Sequence, residues 1–526
     1  MSTLNRRSFL TSTLLINGLP LTTWAQATPT PTESLWWQGA LFYEVFVRAF
    51  QDSDGDGIGD FSGLQHRLDY LNDGSESSLG VNGIWLMPIF PSPSYHGYDV
   101  TDYDNVNPEF GTNDDFRALV DALHARDMRV ILDLPINHTS VEHPWFIEAA
   151  SDPASAKRDW YIFSESDPGY LGPWGEKVWH PNPYGSGFYY GIFDSAMPDL
   201  NFRNFDVNAE VRRITEFWLT DMGADGFRMD AIKHVIEEGQ IQEGTPETIA
   251  WIETFAGWVR AAKADAFTIG EVMGSGTDGI QPYYPNGLDA FFHFQLAQEI
   301  INGVNFGNAV KIRNFANGAA ERLPNQRWGT FLTNHDQERI ASTLDGDVAK
   351  LGVAAMILLS LPGIPFIYYG EEIGMPGEKP DPTIRTPMQW SSEANAGFTT
   401  GTPFIALQPG WEETNVAVQD ADPGSLLNLY RLWAHARAQH EALRTGDFVS
   451  FDVGQRSILA FTRSTPTESI LVAINMGKTE SEAVRLSMGE GISTAKSALD
   501  GTVIAVHGEV DLGIMAAQSG GIWVLD

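Results

Sequence analysis

A chain of 526 residues is too long for one ordinary hydrophobic core, and its 43% hydrophobic and 19% charged residues are typical of a folded soluble protein. The formal net charge of −35 opposes binding to nucleic acid or to anionic membranes, so neither is expected as a partner. The sequence contains no cysteine, which excludes disulfide bonds and thiolate chemistry.

The first 27 residues are predicted to be an export signal of the twin-arginine type, with an ordinary secretory signal as the alternative. An Arg6-Arg7 pair precedes a largely apolar stretch, and Ala25-Gln26-Ala27 has the small-residue spacing of a cleavage site. Residues 28–34, rich in Thr and Pro, are predicted to be a linker. No later stretch is long and apolar enough to span a membrane, so the mature protein is expected to be membrane-free and periplasmic or extracellular.

A loop after the first predicted strand carries closely spaced aspartates. Its spacing matches the first half of an EF-hand loop, although Gly63 stands where the completing glutamate would be. Such carboxylates repel one another unless a cation binds, and hard oxygen ligands suit Ca²⁺. The ligands that we expect are Asp52, Asp54, Asp56, the backbone carbonyl of Ile58, and Asp60. A solvated acidic turn is the alternative.

Apolar segments of strand length alternate with segments of helical periodicity as far as residue 442. The predicted strands are 41–47, 83–90, 130–135, 224–229, 267–270, 288–294, 328–332 and 364–369. The predicted helices include 114–126, 211–222, 248–262, 347–361 and 426–439. This alternation predicts an α/β fold, a (β/α)₈ TIM barrel. An open doubly wound sheet would need a Gly-rich phosphate-binding turn, and the sequence has none.

Two regions depart from this alternation. Residues 139–204 are rich in Pro, Gly, Trp and Tyr without a clean period, and they are too many for a simple loop. They are predicted to be a small domain inserted after the third strand, so that residues 35–138 and 205–442 form the barrel. From residue 443 the segments become short and alternating, which predicts a C-terminal antiparallel β-sandwich domain over 443–526.

Polar residues follow the predicted strands at the ends that meet at one mouth of a barrel. They are Tyr98, Asp99, Asp133, Asn137, His138, Arg228, Asp230, Glu271, His335 and Asp336. Arg228 and Asp230 are two positions apart, so they share one face of a strand, and an arginine beside a carboxylate favours its ionised form. A structural ion pair, with Asp133 as a brace for Arg228, would explain these residues alone. Their recurrence at successive strand ends favours a catalytic site.

Five sequence blocks resemble, in order and spacing, those of the α-amylase family of glycoside hydrolases. They are 133–138 (DLPINH), 197–201 (MPDLN), 226–234 (GFRMDAIKH), 269–272 (IGEV) and 331–336 (FLTNHD). The resemblance covers nearly all of the mature chain and implies the same barrel, insertion and C-terminal β-domain. It also implies that Asp230 is a nucleophile, that Glu271 is the general acid and then base, and that Asp336 stabilises an oxocarbenium-like sugar.

The resemblance implies further contacts with substrate and metal. His138 and His335 would hydrogen-bond hydroxyls of the sugar being cleaved, Tyr98 would stack on that ring, and Arg228 would keep Asp230 ionised. Many amylases bind a structural Ca²⁺ between the barrel and the inserted domain. The positions of its ligands are matched here by Asn137, Asp199 and the carbonyl of His234. Here Asn201 stands where many amylases have aspartate, so the remaining ligands of this second site are not named.

Linkage and chain length are indicated by features that do not fully agree. Ala231 favours α-1,4 bonds, since relatives that cleave α-1,6 bonds often have valine there. The Lys233-His234 pair resembles the pair with which α-amylases bind glucose units beyond the point of cleavage, which implies that both residues bind substrate and favours oligosaccharides or polymer. Asp99 indicates a shorter site, since a similar aspartate in oligo-α-glucosidases closes the pocket around the non-reducing end of the substrate. The segment Arg385–Trp390 also resembles that of oligo-1,6-glucosidases. The block 197–201 resembles the group intermediate between oligo-1,6-glucosidases and neopullulanases.

We therefore expect retaining hydrolysis of α-1,4-glucosidic bonds in starch, maltodextrins or malto-oligosaccharides. The alternatives are an oligo-α-glucosidase and a cyclomaltodextrinase- or neopullulanase-like enzyme. A carbohydrate-binding homologue without catalysis is disfavoured because all three acids, Asp230, Glu271 and Asp336, are present.

Overall fold

The computed structural model describes residues 35–489 and 491–526, so the predicted export signal and linker lie outside the described residues. The strands, in chain order, are β1 (Phe42–Val45), β2 (Gly83–Leu86), β3 (Arg129–Leu134), β4 (Phe163–Ser164), β5 (Trp179–Pro181), β6 (Phe188–Tyr190), β7 (Gly226–Met229), β8 (Phe267–Gly270), β9 (Ala290–Phe292), β10 (Trp328–Thr330), β11 (Ile364–Tyr368), β12 (Asp447–Phe451), β13 (Ile458–Ser464), β14 (Ser469–Asn475), β15 (Ala483–Ser487), β16 (Thr494–Ser497), β17 (Val503–Ala505), β18 (Glu509–Ile514) and β19 (Ser519–Leu525).

The α-helices, in the same order, are α1 (Val47–Phe50), α2 (Phe61–His66), α3 (Leu68–Leu71), α4 (Asn113–His124), α5 (Pro144–Ser151), α6 (Phe205–Glu216), α7 (Pro246–Ala262), α8 (Thr277–Ile280), α9 (Phe294–Phe306), α10 (Val310–Arg322), α11 (Ile340–Thr343), α12 (Val348–Ser360), α13 (Asp381–Ile384), α14 (Val416–Asp420), α15 (Leu426–Gln439) and α16 (Glu441–Thr445). No helix within residues 35–489 and 491–526 is both long and apolar enough to cross a membrane.

The strands β1, β2, β3, β7, β8, β9, β10 and β11 close a barrel in that order, and every neighbouring pair is parallel. The predicted (β/α)₈ barrel is thus confirmed. One buried cluster takes residues from successive strands, among them Phe42, Trp85, Phe292 and Phe366. The rings of Phe42 and Phe366 stack with centroids 4.7 Å apart. Alternate residues of a strand point to the same side, so these aromatic side chains fill the interior of the barrel. The polar side chains lie beyond them, at the carboxyl ends of the strands.

The segment between β3 and β7 contains a three-stranded antiparallel sheet in the order β4-β6-β5, together with α5. An isolated antiparallel bridge between His138 and Asp199 joins the last part of this segment to the residues that follow β3, and a second bridge joins Tyr161 with Leu200 within the segment. The first bridge brings the predicted blocks 133–138 and 197–201 together. The helix α6 then begins at Phe205, earlier than the predicted 211, because the Asn204 side chain caps it by accepting from the amides of Asp206 and Val207.

The C-terminal part of the chain is antiparallel, as predicted. A six-stranded sheet has the order β12-β13-β14-β19-β16-β17, and β15 pairs with β18. A separate buried cluster that includes Leu471, Leu486 and Val510 forms the core of this domain. The first of these strands begins at Asp447, after α16, so the predicted boundary at 442–443 falls inside that helix.

Candidate active site

A cleft of about 460 Å³ lies at the carboxyl ends of the barrel strands. Its lining residues are His96, Tyr98, His138, Phe193, Met197, Asp230, Ala231, Glu271, Met273, Asp336, Lys379, Asp381 and Arg385. The cleft therefore contains all three acids that the sequence analysis singled out. Its volume is within the usual range for pockets that enclose small ligands.

Arg228 is the cation around which the acids of the cleft are arranged. The register of β3 and β7 places Arg228 beside Asp133, and its Nη1 donates to both oxygens of that carboxylate at 2.8 and 2.9 Å. The same Nη1 donates to Oδ1 of Asp230 at 2.6 Å, and Nη2 lies 2.8 Å from Oε2 of Glu271. Arg228 is fully buried. The Arg228 guanidinium thus contacts the carboxylates of both Asp230 and Glu271, and its hydrogen bonds to Asp133 fix its position.

The backbone directly after Asp230 hydrogen-bonds the side chain of Glu271. Ala231 has a left-handed φ of 48°, which costs about 1–2 kcal/mol in a residue other than glycine. In this conformation its amide donates to Oε2 of Glu271 at 3.2 Å. The amide of Glu271 in turn donates to the carbonyl of Met229, which continues the ladder between β7 and β8 beyond the strand ends. The strained backbone at Ala231 therefore links the segment that carries Asp230 to the side chain of Glu271.

Asp230 and Glu271 both hold protons more tightly than exposed carboxyl groups do. Burial raises the pKa of Asp230 to about 6, with Arg228 acting in the opposite direction. Burial, and secondly the charges of Asp230 and Asp336, raise the pKa of Glu271 to about 7, again against Arg228. Arg228 lowers the pKa of Asp230, as expected of a neighbouring cation, but the effect of burial is larger.

Asp336 has the opposite environment. Burial acts to raise its pKa, but the charges of His335 and Arg385 hold the pKa well below the ordinary range. Nε2 of His335 is 3.2 Å from Oδ2 of Asp336, and Nη2 of Arg385 donates to Oδ1 at 2.8 Å. Burial alone would lower the pKa of His335, but Asp336 and Glu44 raise it to about 10. Asp336 is therefore a permanent negative charge at this end of the cleft.

Glu44 on β1 is a functional neighbour that the sequence analysis missed. Its carboxylate accepts from Nδ1 of His335 at 2.5 Å, while Nε2 of His335 donates to the hydroxyl of Tyr98 at 2.6 Å. The hydroxyl of Tyr98 donates in turn to Oδ2 of Asp133 at 2.9 Å. A histidine that donates from both nitrogens is an imidazolium, so this chain of contacts keeps His335 charged. The only sequence signal is a charged residue within an otherwise apolar strand.

His138 and Tyr98 line the cleft, as expected for substrate-binding residues. Nε2 of His138 donates to the backbone carbonyl of Tyr98 at 3.1 Å, so Nδ1 carries the lone pair. Nδ1 is buried and has no partner among the described residues. Burial lowers the pKa of His138 to about 4, so the ring is neutral. The ring therefore adds no charge to the part of the cleft wall that it forms.

Asp99 and His234 lie elsewhere than the sequence suggested. The Asp99 carboxylate accepts from the hydroxyls of Ser92 and Ser94 and does not line the cleft, because the loop turns it back into its own hydrogen bonds. His234 is 2% exposed, its Nδ1 bonds the carbonyl of Gln242, and the ring lies against other aromatic side chains. Neither side chain is presented to the cleft.

Arg385, Asp381 and Lys379 line the end of the cleft beside Asp336 instead. Nη2 of Arg385 contacts both Asp336 at 2.8 Å and Asp381 at 3.3 Å, and Lys379 pairs with Asp381. The sequence analysis singled out Arg385 only through the resemblance of its segment to oligo-1,6-glucosidases. Lys233, also expected in the cleft, pairs with Glu243 at 2.6 Å and donates to the carbonyl of Met273 at 3.4 Å.

The acidic loop brings together three of its four aspartates. Ligand atoms of Asp52, Asp54 and Asp60 lie within 4.8 Å of one another, and Asp56 is outside this group. Asp56 instead accepts from the amide of Ile58 at 2.8 Å. Three clustered carboxylates are the hard oxygen donors that Ca²⁺ requires, so these residues fit the predicted ion.

Asn137 and Asp199, two members of the second predicted metal site, are also in contact. Nδ2 of Asn137 donates to Asp199 at 3.2 Å, and Oδ1 of Asn137 is buried without a partner among the described residues. The buried Glu237 hydrogen-bonds Asp199 and was missed by the sequence analysis. Burial raises the pKa of Asp199 and raises that of Glu237 to about 7, so the pair shares a proton.

Comparisons by family model, by sequence and by structure all match this chain to α-amylases and related enzymes. Residues 44–446 match the family model described as the α-amylase catalytic domain. Alpha-amylase 3 of Dictyoglomus thermophilum is 39% identical over 451 residues, covering 85% of this chain and 86% of the relative. The trehalose synthase/amylase TreS of Mycolicibacterium smegmatis is 34% identical over 495 residues, covering 82% and 81%. The crystal structure of the α-amylase from H. orenii superposes with a TM-score of 0.83 at 37% identity, covering 93% of this chain and all of that one.

Proposed function

The chain belongs to the α-amylase family of glycoside hydrolases, and on this premise we propose that it is an exported enzyme that hydrolyses α-1,4-glucosidic bonds in starch, maltodextrins or malto-oligosaccharides with retention of configuration. The observation that carries the proposal is the contact of one guanidinium, that of Arg228, with both Asp230 and Glu271. Retaining glycosidases need two carboxyl groups about 5–5.5 Å apart.

In the first step a carboxylate oxygen of Asp230 attacks the anomeric carbon of the glucose unit bound beside Asp336. The bond from that carbon to the glycosidic oxygen breaks, and Glu271 transfers its proton to the departing oxygen. In the second step Glu271, now ionised, takes a proton from water, whose oxygen displaces Asp230 from the anomeric carbon. Asp336, held ionised by His335 and Arg385, stabilises the positive charge that develops on the sugar in both steps.

A product profile tests the linkage. We expect soluble starch and maltotriose to be cleaved, and isomaltose to be cleaved slowly or not at all. Activity on isomaltose alone would overturn the α-1,4 proposal. Formation of trehalose from maltose would instead favour the activity named for the mycobacterial relative. The anomeric form of the first product, followed by polarimetry or NMR, tests retention.

An exo-acting α-glucosidase is the second candidate, and the charged end of the cleft favours it. Arg385 pairs with both Asp336 and Asp381, and Lys379 pairs with Asp381, so charged side chains line the cleft next to the residue that would stabilise the sugar being cleaved. A closed end would release one glucose unit at a time. Release of maltose and longer fragments from starch in the earliest products would favour the endo-acting α-amylase.

The pH dependence follows from the raised pKa values of the two acids. Asp230 must be ionised to attack, so kcat/KM is expected to fall as the pH drops below about 6. Glu271 must carry its proton, so kcat/KM is expected to fall as the pH rises above about 7. The profile for maltoheptaose should therefore be a narrow bell. With α-maltosyl fluoride the alkaline limb should disappear, because fluoride departs without a proton. A flat profile from pH 5 to 8 would contradict this assignment.

We also propose that the acidic loop binds Ca²⁺ through Asp52, Asp54 and Asp60. An ion present at 100 times its Kd stabilises the folded state by about 2.7 kcal/mol, so a chelator should lower the Tm and added Ca²⁺ should restore it. Asp54→Asn should weaken this response, whereas Asp56→Asn should retain it because Asp56 lies outside the cluster. Differential scanning calorimetry with and without EDTA measures both. An equal loss in the two variants would argue against the cluster as the site.

We propose a second ion at Asn137 and Asp199, with Glu237 as an additional ligand. The unpartnered Oδ1 of Asn137 and the raised pKa values of the two acids support it, since an ion would replace the shared proton.

A further inference from the structure

A short hairpin of the inserted segment exposes a tryptophan. Leu171 pairs with Lys177, the amide of Gly172 donates to the carbonyl of Glu176 at 2.9 Å, and Trp174 is at the tip. Trp174 is 54% exposed. A tryptophan buries 150–250 Å² in a protein core, so leaving more than half of one in solvent forgoes a large stabilisation. An exposed tryptophan on a defined hairpin is therefore a candidate binding surface.

The indole of Trp174 lies at the rim of the catalytic cleft. Its ring centroid is 5.7 Å from that of Phe193 and 5.4 Å from that of His234. Phe193 lines the cleft together with Asp230 and Glu271. His234 is buried beneath this contact. The side chain that faces outwards at this point is thus Trp174, and not the histidine that the sequence suggested.

The position of Glu271 indicates which part of a substrate would reach this rim. Under the proposed function Glu271 protonates the departing oxygen, so the leaving portion of the glucan lies on its side of the cleft. Met273 follows two residues later, lines the cleft and is 44% exposed, and its carbonyl accepts from Lys233. The charged residues Asp381 and Arg385 stand at the end beside Asp336. Trp174 is connected to the leaving-group side through His234, because Lys233, the residue before His234, donates to the carbonyl of Met273.

We propose that Trp174 is a sugar-stacking residue that binds the leaving-group portion of an α-glucan and sets a preference for longer chains. This inference rests on the proposed function. One face of a glucopyranose ring presents C–H groups, which pack against an aromatic face while the hydroxyls stay in water. The exposed side chains of Trp174 and Met273, with the partly buried Phe193 against Trp174, offer such surfaces beyond the point of cleavage.

The test compares kcat/KM for maltoheptaose with kcat/KM for α-maltosyl fluoride, whose leaving group is too small to reach the hairpin. In Trp174→Ala the ratio is expected to fall about 3- to 10-fold, and in Trp174→Phe the fall should be smaller. Phe306→Ala is the matched control. Phe306 is a 78% exposed aromatic residue at the carboxyl end of α9, and that helix starts from the carboxyl end of β9, so it ends at the opposite face of the barrel.

Leu171→Ala controls for the hairpin itself, since Leu171 is 56% exposed on the same turn. An unchanged ratio in Trp174→Ala, or an equal fall in Leu171→Ala, would overturn the inference while hydrolysis by the wild type still stood. A wild type that cleaves neither substrate would overturn the proposed function instead. A second measurement does not depend on turnover: calorimetric titration of maltoheptaose into Glu271→Gln should give a Kd that Trp174→Ala raises by a similar factor.

Discussion

Asp230→Asn and Glu271→Gln are each expected to lower kcat/KM for maltoheptaose by at least about 10³-fold while the protein stays folded. An asparagine has no carboxylate with which to attack the anomeric carbon, and a glutamine cannot transfer a proton to the departing oxygen. Both replacements keep the size of the side chain, so packing around Arg228 should change little. Steady-state kinetics on the purified variants measure the loss of kcat/KM, and circular dichroism shows whether the variants stay folded.

The two variants should fail at different steps, and α-maltosyl fluoride separates them. Fluoride departs without a proton, so Glu271→Gln should still form the glycosyl-enzyme and then lack the base that activates water. Intact-mass spectrometry should therefore detect one added maltosyl unit on Glu271→Gln and none on Asp230→Asn. The reverse pattern would exchange the two roles.

Asp225→Asn is the matched control for this experiment. Asp225 precedes β7, whereas Asp230 follows it, so the two acids stand at opposite ends of one strand. Asp225 is also buried and ion-paired, with Lys263 at 2.8 Å. Its replacement should lower stability and leave turnover in place. Near-wild-type turnover in Asp230→Asn or Glu271→Gln would refute the catalytic assignment.

Arg228→Met is expected to destabilise the protein by about 3–5 kcal/mol and to abolish hydrolysis. The replacement leaves Asp133, Asp230 and Glu271 in the barrel without their shared cation, and an uncompensated buried charge has a cost of this size. Urea unfolding measures the loss. Arg213→Met is the control, because Arg213 pairs with Asp104 and Glu210 on the surface, where ion pairs contribute about 0–1 kcal/mol.

The destabilisation of Arg228→Met should depend on pH with a definite sign. Arg228 lowers the pKa of both Asp230 and Glu271, so its loss raises these values further above those of the unfolded chain. A group with a raised folded pKa binds more protons in the folded state, and stability falls as the pH rises. The variant should therefore be closer to wild type at pH 5 than at pH 8. The double variant Arg228→Met with Asp133→Asn should recover part of the stability. Equal losses at both pH values would show that packing, and not charge, is what Arg228 supplies.

Much of the fold could be predicted because it depends on local signals. The strand β8 and the helix α15 have the predicted bounds, and the other barrel strands differ at their ends by a few residues. Apolar runs and helical periodicity mark such elements directly. Helices α9 and α10 were not predicted, although α9 has an apolar face. The apolar run 288–294 predicts a strand that includes Phe294, whereas the strand β9 ends at Phe292 and Phe294 begins the helix α9.

The sequence predicts the candidate site most directly where a residue stands in or next to the end of a strand, whereas Tyr98, His138 and Asp336 lie beyond the strand ends and follow from the family resemblance. Asp133, Arg228, Asp230 and Glu271 follow from the strand positions, because the carboxyl ends of parallel strands meet at one face and the register sets which side chains are neighbours. By itself the sequence thus determined the barrel, the order of the acids along it and the pairing of Arg228 with its nearest carboxylates.

Only the tertiary structure decided what surrounds those acids. Glu44 reaches His335 across 291 positions of the chain, Arg385 reaches Asp336 from a loop 49 positions away, and Trp174 covers His234 from the inserted segment. Asp99 turns into the hydroxyls of its own loop. Contacts of this kind depend on how loops close over the barrel mouth, and no local periodicity encodes loop closure. The pKa values of the acids depend on the same enclosure, since burial is the first cause of each raised value.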